Sequence, residues 1–142
     1  MPAPPSPLKK ALVSEGFEIY RTAPNLVTLA DRVRDNLLMD SGVSVVEEPL
    51  AVRVVLRAQS SNFPGESPDG LYARARALSS ELLGRGYAEV SAQAVPVADP
   101  GDRSRTIDTW YEVTYAVAVA GEAALAGEVR AALAVNKSAE RV

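Results

Sequence analysis

Chemistry-bearing residues are densest in "DPGDRSRTIDTWYE", residues 99–112. Asp99, Asp102, Asp108 and Glu112 supply carboxylate oxygens, the ligands that hard cations such as Ca²⁺ and Mg²⁺ select. The spacing lacks the ordered D-x-D-x-DG run and the closing Glu of an EF-hand loop. Arg103 and Arg105 would oppose a cation or pair with the same aspartates. The competing reading is a solvated hairpin end in which Asp, Pro and Gly serve turn geometry. The residue types favour that reading. No cofactor is expected, and a carboxylate-based metal- or ligand-binding domain or enzyme using this loop stands as the alternative function.

Trp110 is a second candidate. Alternation along "TIDTWYEVTYAVAVA" sends Tyr111, Val113, Tyr115, Val117 and Val119 to one face of a strand, and Trp110, Glu112 and Thr114 to the other. In "LAVRVVLRAQ", Leu50, Val52, Val54, Leu56 and Ala58 point one way while Arg53, Val55 and Arg57 point the other. If helices cover only one side of the sheet, Trp110, Arg53, Val55, Arg57 and Gln93 share its reverse. Tryptophan and arginine are enriched at protein contacts. The opposing possibility is that a helix over residues 26–39 covers that face and buries Trp110.

A third candidate, "SSNFPGESPDG", precedes a helix whose amides could cradle an anion. It matches neither glycine-rich phosphate-binding pattern, and Glu66 with Asp69 would repel a phosphate.

Composition narrows the chemistry further. The 142 residues contain no histidine and no cysteine. That removes histidine general bases, thiol nucleophiles and thiolate or imidazole metal sites from the chain's own repertoire, and with the lack of a catalytic motif it points away from an enzyme. The net charge of -3 and the absence of a basic patch argue against nucleic acid. No run approaches the roughly 20 apolar residues that span a bilayer, and "MPAPPSPLKK" is no secretory signal. The expectation is a cytoplasmic protein with no membrane partner.

The elements that must position these residues follow from periodicity and punctuation. Residues 1–7 carry four prolines and are expected to be a disordered tail. One α+β domain is expected over 8–135, with a frayed tail at 136–142. A helix from Leu8 ends at Gly16, and "FEIYR" alternates as a strand. Asn25 serves as N-cap to a helix whose stripe is Leu26, Leu29, Val33 and Leu37, ended by Ser41-Gly42. From Val43 the chain is expected to form one long strand, or two broken at Pro49. Ser67 and Pro68 open a helix running to Leu83. Two strands flank the Pro100-Gly101 turn, and a last helix runs from Gly121 to Val135. This order gives an α+β fold: a mostly antiparallel sheet with helices packed on one face. It is a ferredoxin-like-type β-α-β-β-α core with an N-terminal α-β-α extension. The expected function is a small binding or assembly module acting through a sheet face or edge. Its expected partner is a protein, with homodimerisation favoured because open edges template pairing.

Overall fold

The computed structural model describes residues 7–35 and 37–139. All but Pro7 of the expected proline-rich tail lies outside the described residues. These residues form four α-helices and a six-stranded antiparallel sheet, in the order α1 (Pro7–Ser14), β1 (Ile19–Ala23), β2 (Leu26–Arg34), β3 (Leu37–Val46), β4 (Ala51–Gln59), α2 (Pro68–Ala77), α3 (Ser80–Gly84), β5 (Ala88–Asp99), β6 (Asp102–Ala118) and α4 (Glu122–Ala139). The strand order across the sheet is β1-β2-β3-β4-β6-β5.

The expected helix over residues 26–39 is not there, and with it the α-β-α extension is overturned. This stretch is β2 and the start of β3, so α1 is followed by three antiparallel strands leading into β4. Pro24-Asn25 is a two-residue hairpin turn, with Ala23 opposite Leu26. Asn25 adopts φ 63°, the left-handed region that asparagine tolerates better than most residues. Its side chain holds the turn in place: Asn25 Nδ2 donates to Glu48 O at 2.8 Å, and Glu48 N donates to Asn25 Oδ1 at 2.7 Å. Val27 and Leu29 alternate into the core, whereas Leu37 is 43% exposed. The helical spacing of Leu26, Leu29, Val33 and Leu37 is coincidental: Leu29 belongs to the buried face of β2, and Leu37 to an exposed hairpin tip.

β3 carries a bulge that the helical reading took for a terminator. Register with β2 shifts between Thr28 and Ala30, where Ser41 and Gly42 are accommodated. Gly42 takes φ 79°, and its amide donates to Asp40 Oδ1 at 2.8 Å. Ser41 is buried; its hydroxyl donates to Leu29 O at 2.8 Å and accepts from Val43 N at 3.1 Å. A Cβ at Gly42 would sit in a left-handed conformation, so Gly42→Ala is expected to cost about 1–2 kcal/mol in urea unfolding. An unchanged midpoint would show that the bulge relaxes freely.

The chain packs as two compact units. One is Val55–Ala116, and the other joins the described residues up to Val54 with those from Val117 onward. In the latter, Leu8, Leu12, Val27, Leu29, Val43, Val45, Val52 and Val54 are buried together with Leu125, Val129 and Ala132 of α4. α4 continues past Val135, where the sequence reading ended it, and Asn136 is buried. In Val55–Ala116 the core is Leu56, Ala58, Leu71, Ala75, Leu82, Tyr87, Val113 and Tyr115. The expected helix to Leu83 is two helices, broken at Leu78 and Ser79. Ser67 Oγ accepts from Gly70 N at 3.1 Å, the N-cap that its position before Pro68 implied. β5 follows β4 by way of two helices yet does not pair with it, because β6 lies between them.

Candidate functional site

Within Val55–Ala116, the hairpin register decides which side chains meet. Trp110 lies opposite Val95, Glu112 opposite Gln93, and Asp108 opposite Val97. Directly opposed residues share a face of the sheet. Tyr111, one position on, lies opposite Ala94 and meets Tyr72 of α2 edge-on, with ring centroids 5.0 Å apart. Alternation therefore sends Trp110 away from α2.

Arg57 of β4 covers the indole, its guanidinium carbon 4.1 Å from the Trp110 ring centroid. Arg57 Nε and Nη2 both donate to Glu112 Oε2, at 2.9 and 2.6 Å, and Gln93 Nε2 reaches Glu112 Oε1 at 3.4 Å. The Glu112 side chain keeps 13% of its exposure and that of Arg57 keeps 38%. A planar guanidinium can lie flat on a ring while the N–H groups at its edge bind a carboxylate. The stack contributes about 0.5–1 kcal/mol where solvent still reaches it. Trp110 is half-buried, held from below by the strand and roofed by Arg57.

The indole is also held at its edge. Trp110 Nε1 donates to Asp108 Oδ2 at 3.1 Å, and the same oxygen accepts from Ser61 Oγ at 2.9 Å. Asp108 Oδ1 accepts from Ser60 Oγ at 2.8 Å, Ser61 N at 3.0 Å and Thr109 N at 2.8 Å. Partial burial pushes this carboxyl up, but the donors from Ser60, Ser61 and Thr109 outweigh it and hold Asp108 below its ordinary value of 3.8. The carboxylate fastens the turn that follows β4 to the middle of β6.

The structure thus joins Arg57, Gln93 and Trp110 of the expected surface, with Glu112 as their anchor. Val55 is half-buried. Arg53 belongs to the other unit, where it is exposed and lies opposite Ser44. The four carboxylates weighed as a metal site do not converge. Asp99 and Asp102 face each other across the Pro100-Gly101 turn. Asp99 Oδ1 accepts from Gly101 N at 2.8 Å. Asp102 Oδ1 accepts from Ser104 Oγ and N, bonds that hold its carboxyl below the usual range. Glu112 lies ten positions along β6 from Asp102, about 33 Å at the rise of an extended strand. Among the described residues no group of three or more His, Cys, Asp or Glu is placed to hold a metal ion.

In "SSNFPGESPDG", Arg74 lies 4.2 Å over the Phe63 ring and reaches Glu66 at 3.3 Å. Arg76 likewise lies 5.7 Å from the Tyr72 ring and binds Glu89 at 2.8 Å. An arginine laid over an aromatic ring and fixed by a carboxylate recurs here, so the Trp110 cap is one of a kind of contact this chain uses repeatedly. Sequence reasoning missed Ser60 and Ser61, read only as loop residues. The signal for them was the paired hydroxyls directly after a strand, together with an aspartate two positions before a tryptophan.

Comparison with protein-family models, curated proteins and solved structures gives no match to this chain.

Proposed function

We propose that the chain is a binding and assembly module whose contact surface is the sheet face carrying Arg57, Gln93 and Trp110, and that its first partner is a second copy of itself. The observation that carries this reading is the half-buried indole under a half-exposed guanidinium. Among the described residues Arg57 Nη1 has no partner, and Gln93, which reaches the same Glu112, is exposed. A large ring with a fixed, incompletely used arginine is the composition of a contact centre. We read the helices as lying on one side of the sheet. We also read β4-α2-α3-β5-β6-α4 as a ferredoxin-like-type core; the β4-β6-β5 order supports that, since it splits the β4–β5 pair. The face is favoured over the edges. β5 carries Pro96 and register shifts near both ends, and β1 is five residues long with its own shift. These are devices that discourage edge pairing. The reading gives the chain no catalytic role. A cytoplasmic setting is part of the proposal and rests on the sequence alone.

Trp110 is the only tryptophan, so its emission reports this face. Sedimentation velocity over a concentration series, with acrylamide quenching on the same samples, is expected to show association that protects Trp110. Arg57→Ala and Trp110→Ala are each expected to weaken that association about tenfold or more. A monomer at every concentration, or association that leaves quenching unchanged, overturns the reading.

A further inference from the structure

Where β3 bulges at Ser41 and Gly42, a recess of about 220 Å³ opens between the β2–β3 pair and the C-terminal turns of α4. Ala30, Asp31, Ser41, Leu133, Ala134, Asn136 and Lys137 line it. Its floor is polar and enclosed: Ser41 keeps 5% of its exposure and Asn136 keeps 6%. Its walls are the small or aliphatic side chains of Ala30, Leu133 and Ala134. At its rim stand one acid and one base, Asp31 and Lys137, with Nζ 4.0 Å from Oδ1.

Asp31 is the unusual member. Its side chain keeps 28% of its exposure, yet among the described residues its carboxylate accepts no hydrogen bond and has only the loose contact with Lys137. Asp31 is thus a half-buried carboxylate at the rim of the recess, with oxygen lone pairs still open to a donor. The pairing with Lys137 is too long to be a hydrogen bond, and an exposed lysine contact of this kind is cheap to open. A hard cation would gain one carboxylate and meet the Lys137 ammonium, so the charge pattern disfavours it. A ligand carrying both an ammonium and a carboxylate gains at both: its ammonium donates to Asp31 and its carboxylate accepts from Lys137. The volume admits a molecule of about ten non-hydrogen atoms, below the range of drug-sized pockets. The aliphatic wall suits a short apolar side chain.

We propose that this recess binds a small zwitterion, a free α-amino acid with a short aliphatic side chain, between Asp31 and Lys137.

The test is amide chemical-shift mapping and thermal unfolding of the full chain with L-alanine and L-valine, against acetate and methylammonium as single-charge controls. The zwitterions are expected to shift the amides of Asp31, Ser41, Asn136 and Lys137 saturably and to raise the melting temperature by mass action. Each single-charge control should bind at least about tenfold more weakly. Lys137→Met and Asp31→Asn should each weaken zwitterion binding about ten- to hundredfold. Lys137 is exposed, so its replacement leaves the fold intact and keeps the test decisive even if Asp31→Asn is poorly folded. Unmoved amides with both zwitterions overturn the proposal. So does a response to acetate or methylammonium equal to that of the amino acids, or zwitterion binding unaffected by Lys137→Met.

Discussion

Val27→Asp is expected to abolish cooperative folding or to cost more than about 4 kcal/mol, whereas Leu37→Asp is expected to leave stability within about 1 kcal/mol. Val27 keeps 3% of its exposure and lies opposite Val45, itself fully buried, so a carboxylate there would enter the core with no partner. Leu37 keeps 43% and sits at the hairpin tip opposite Arg34, where a new acid meets water and a guanidinium. Leu29→Ala adds a graded check. Leu29 is fully buried, and removing three carbons from such a site costs about 2–5 kcal/mol depending on how far the surroundings collapse. Urea midpoints of the three variants at constant m decide the matter. A helix over residues 26–39 would bury Leu37 and leave Val27 on its flank, so the opposite ranking would restore the helix and remove the meander.

That stretch shows where the sequence was legible and where it was not. β5 and β6 were readable because "YAEVSAQAVPV" and "TIDTWYEVTYAVAVA" alternate over many residues with a Pro-Gly turn between them, and nothing else fits that pattern. β2 and the start of β3 were not. The hairpin tip around Leu37, Leu38 and Met39 is exposed, so apolar residues there obey no burial period, and the bulge at Gly42 breaks the alternation of β3. Four leucines and valines then fell at helical spacing by accident. The face assigned to Trp110 was legible for the same reason as β6, but its environment was not. Asp108 and Glu112 looked like ligands because they are near Asp102 in the chain, and an extended strand pulls such residues apart. Their true partners, Ser60 and Arg57, stand 48 and 55 positions away. Only pairing across β4 and β6 brings them in.

Asp108 is where that pairing matters most for stability. Asp108→Ala would strand the hydroxyls of Ser60 and Ser61, the amide of Ser61 and the indole N–H of Trp110 in a partly buried setting, while the Thr109 amide keeps Ser60 Oγ as acceptor at 3.0 Å. Water can reach some of them. The expected loss is about 2–4 kcal/mol, a fall in melting temperature of about 10 °C for a chain of this length. Trp110 emission should shift to the red in the folded variant, as the ring loses the acceptor that fixes its edge. The effect carries a pH signature. Because the folded carboxyl is held below 3.8, its contribution is fully present above the unfolded aspartate value and is lost as pH falls through the folded one. Wild type and Asp108→Ala should therefore differ fully at neutral pH, and the gap should narrow progressively as pH falls below the unfolded aspartate value of about 3.9. Asp108→Asn, which keeps one acceptor oxygen but turns an amide N–H toward a donor, should fall between them at neutral pH. Urea unfolding of the three proteins at neutral and acid pH measures this directly. A gap between wild type and Asp108→Ala that stays constant down to pH 3 would mean that the charge of this side chain contributes nothing to fastening β6 to the turn after β4.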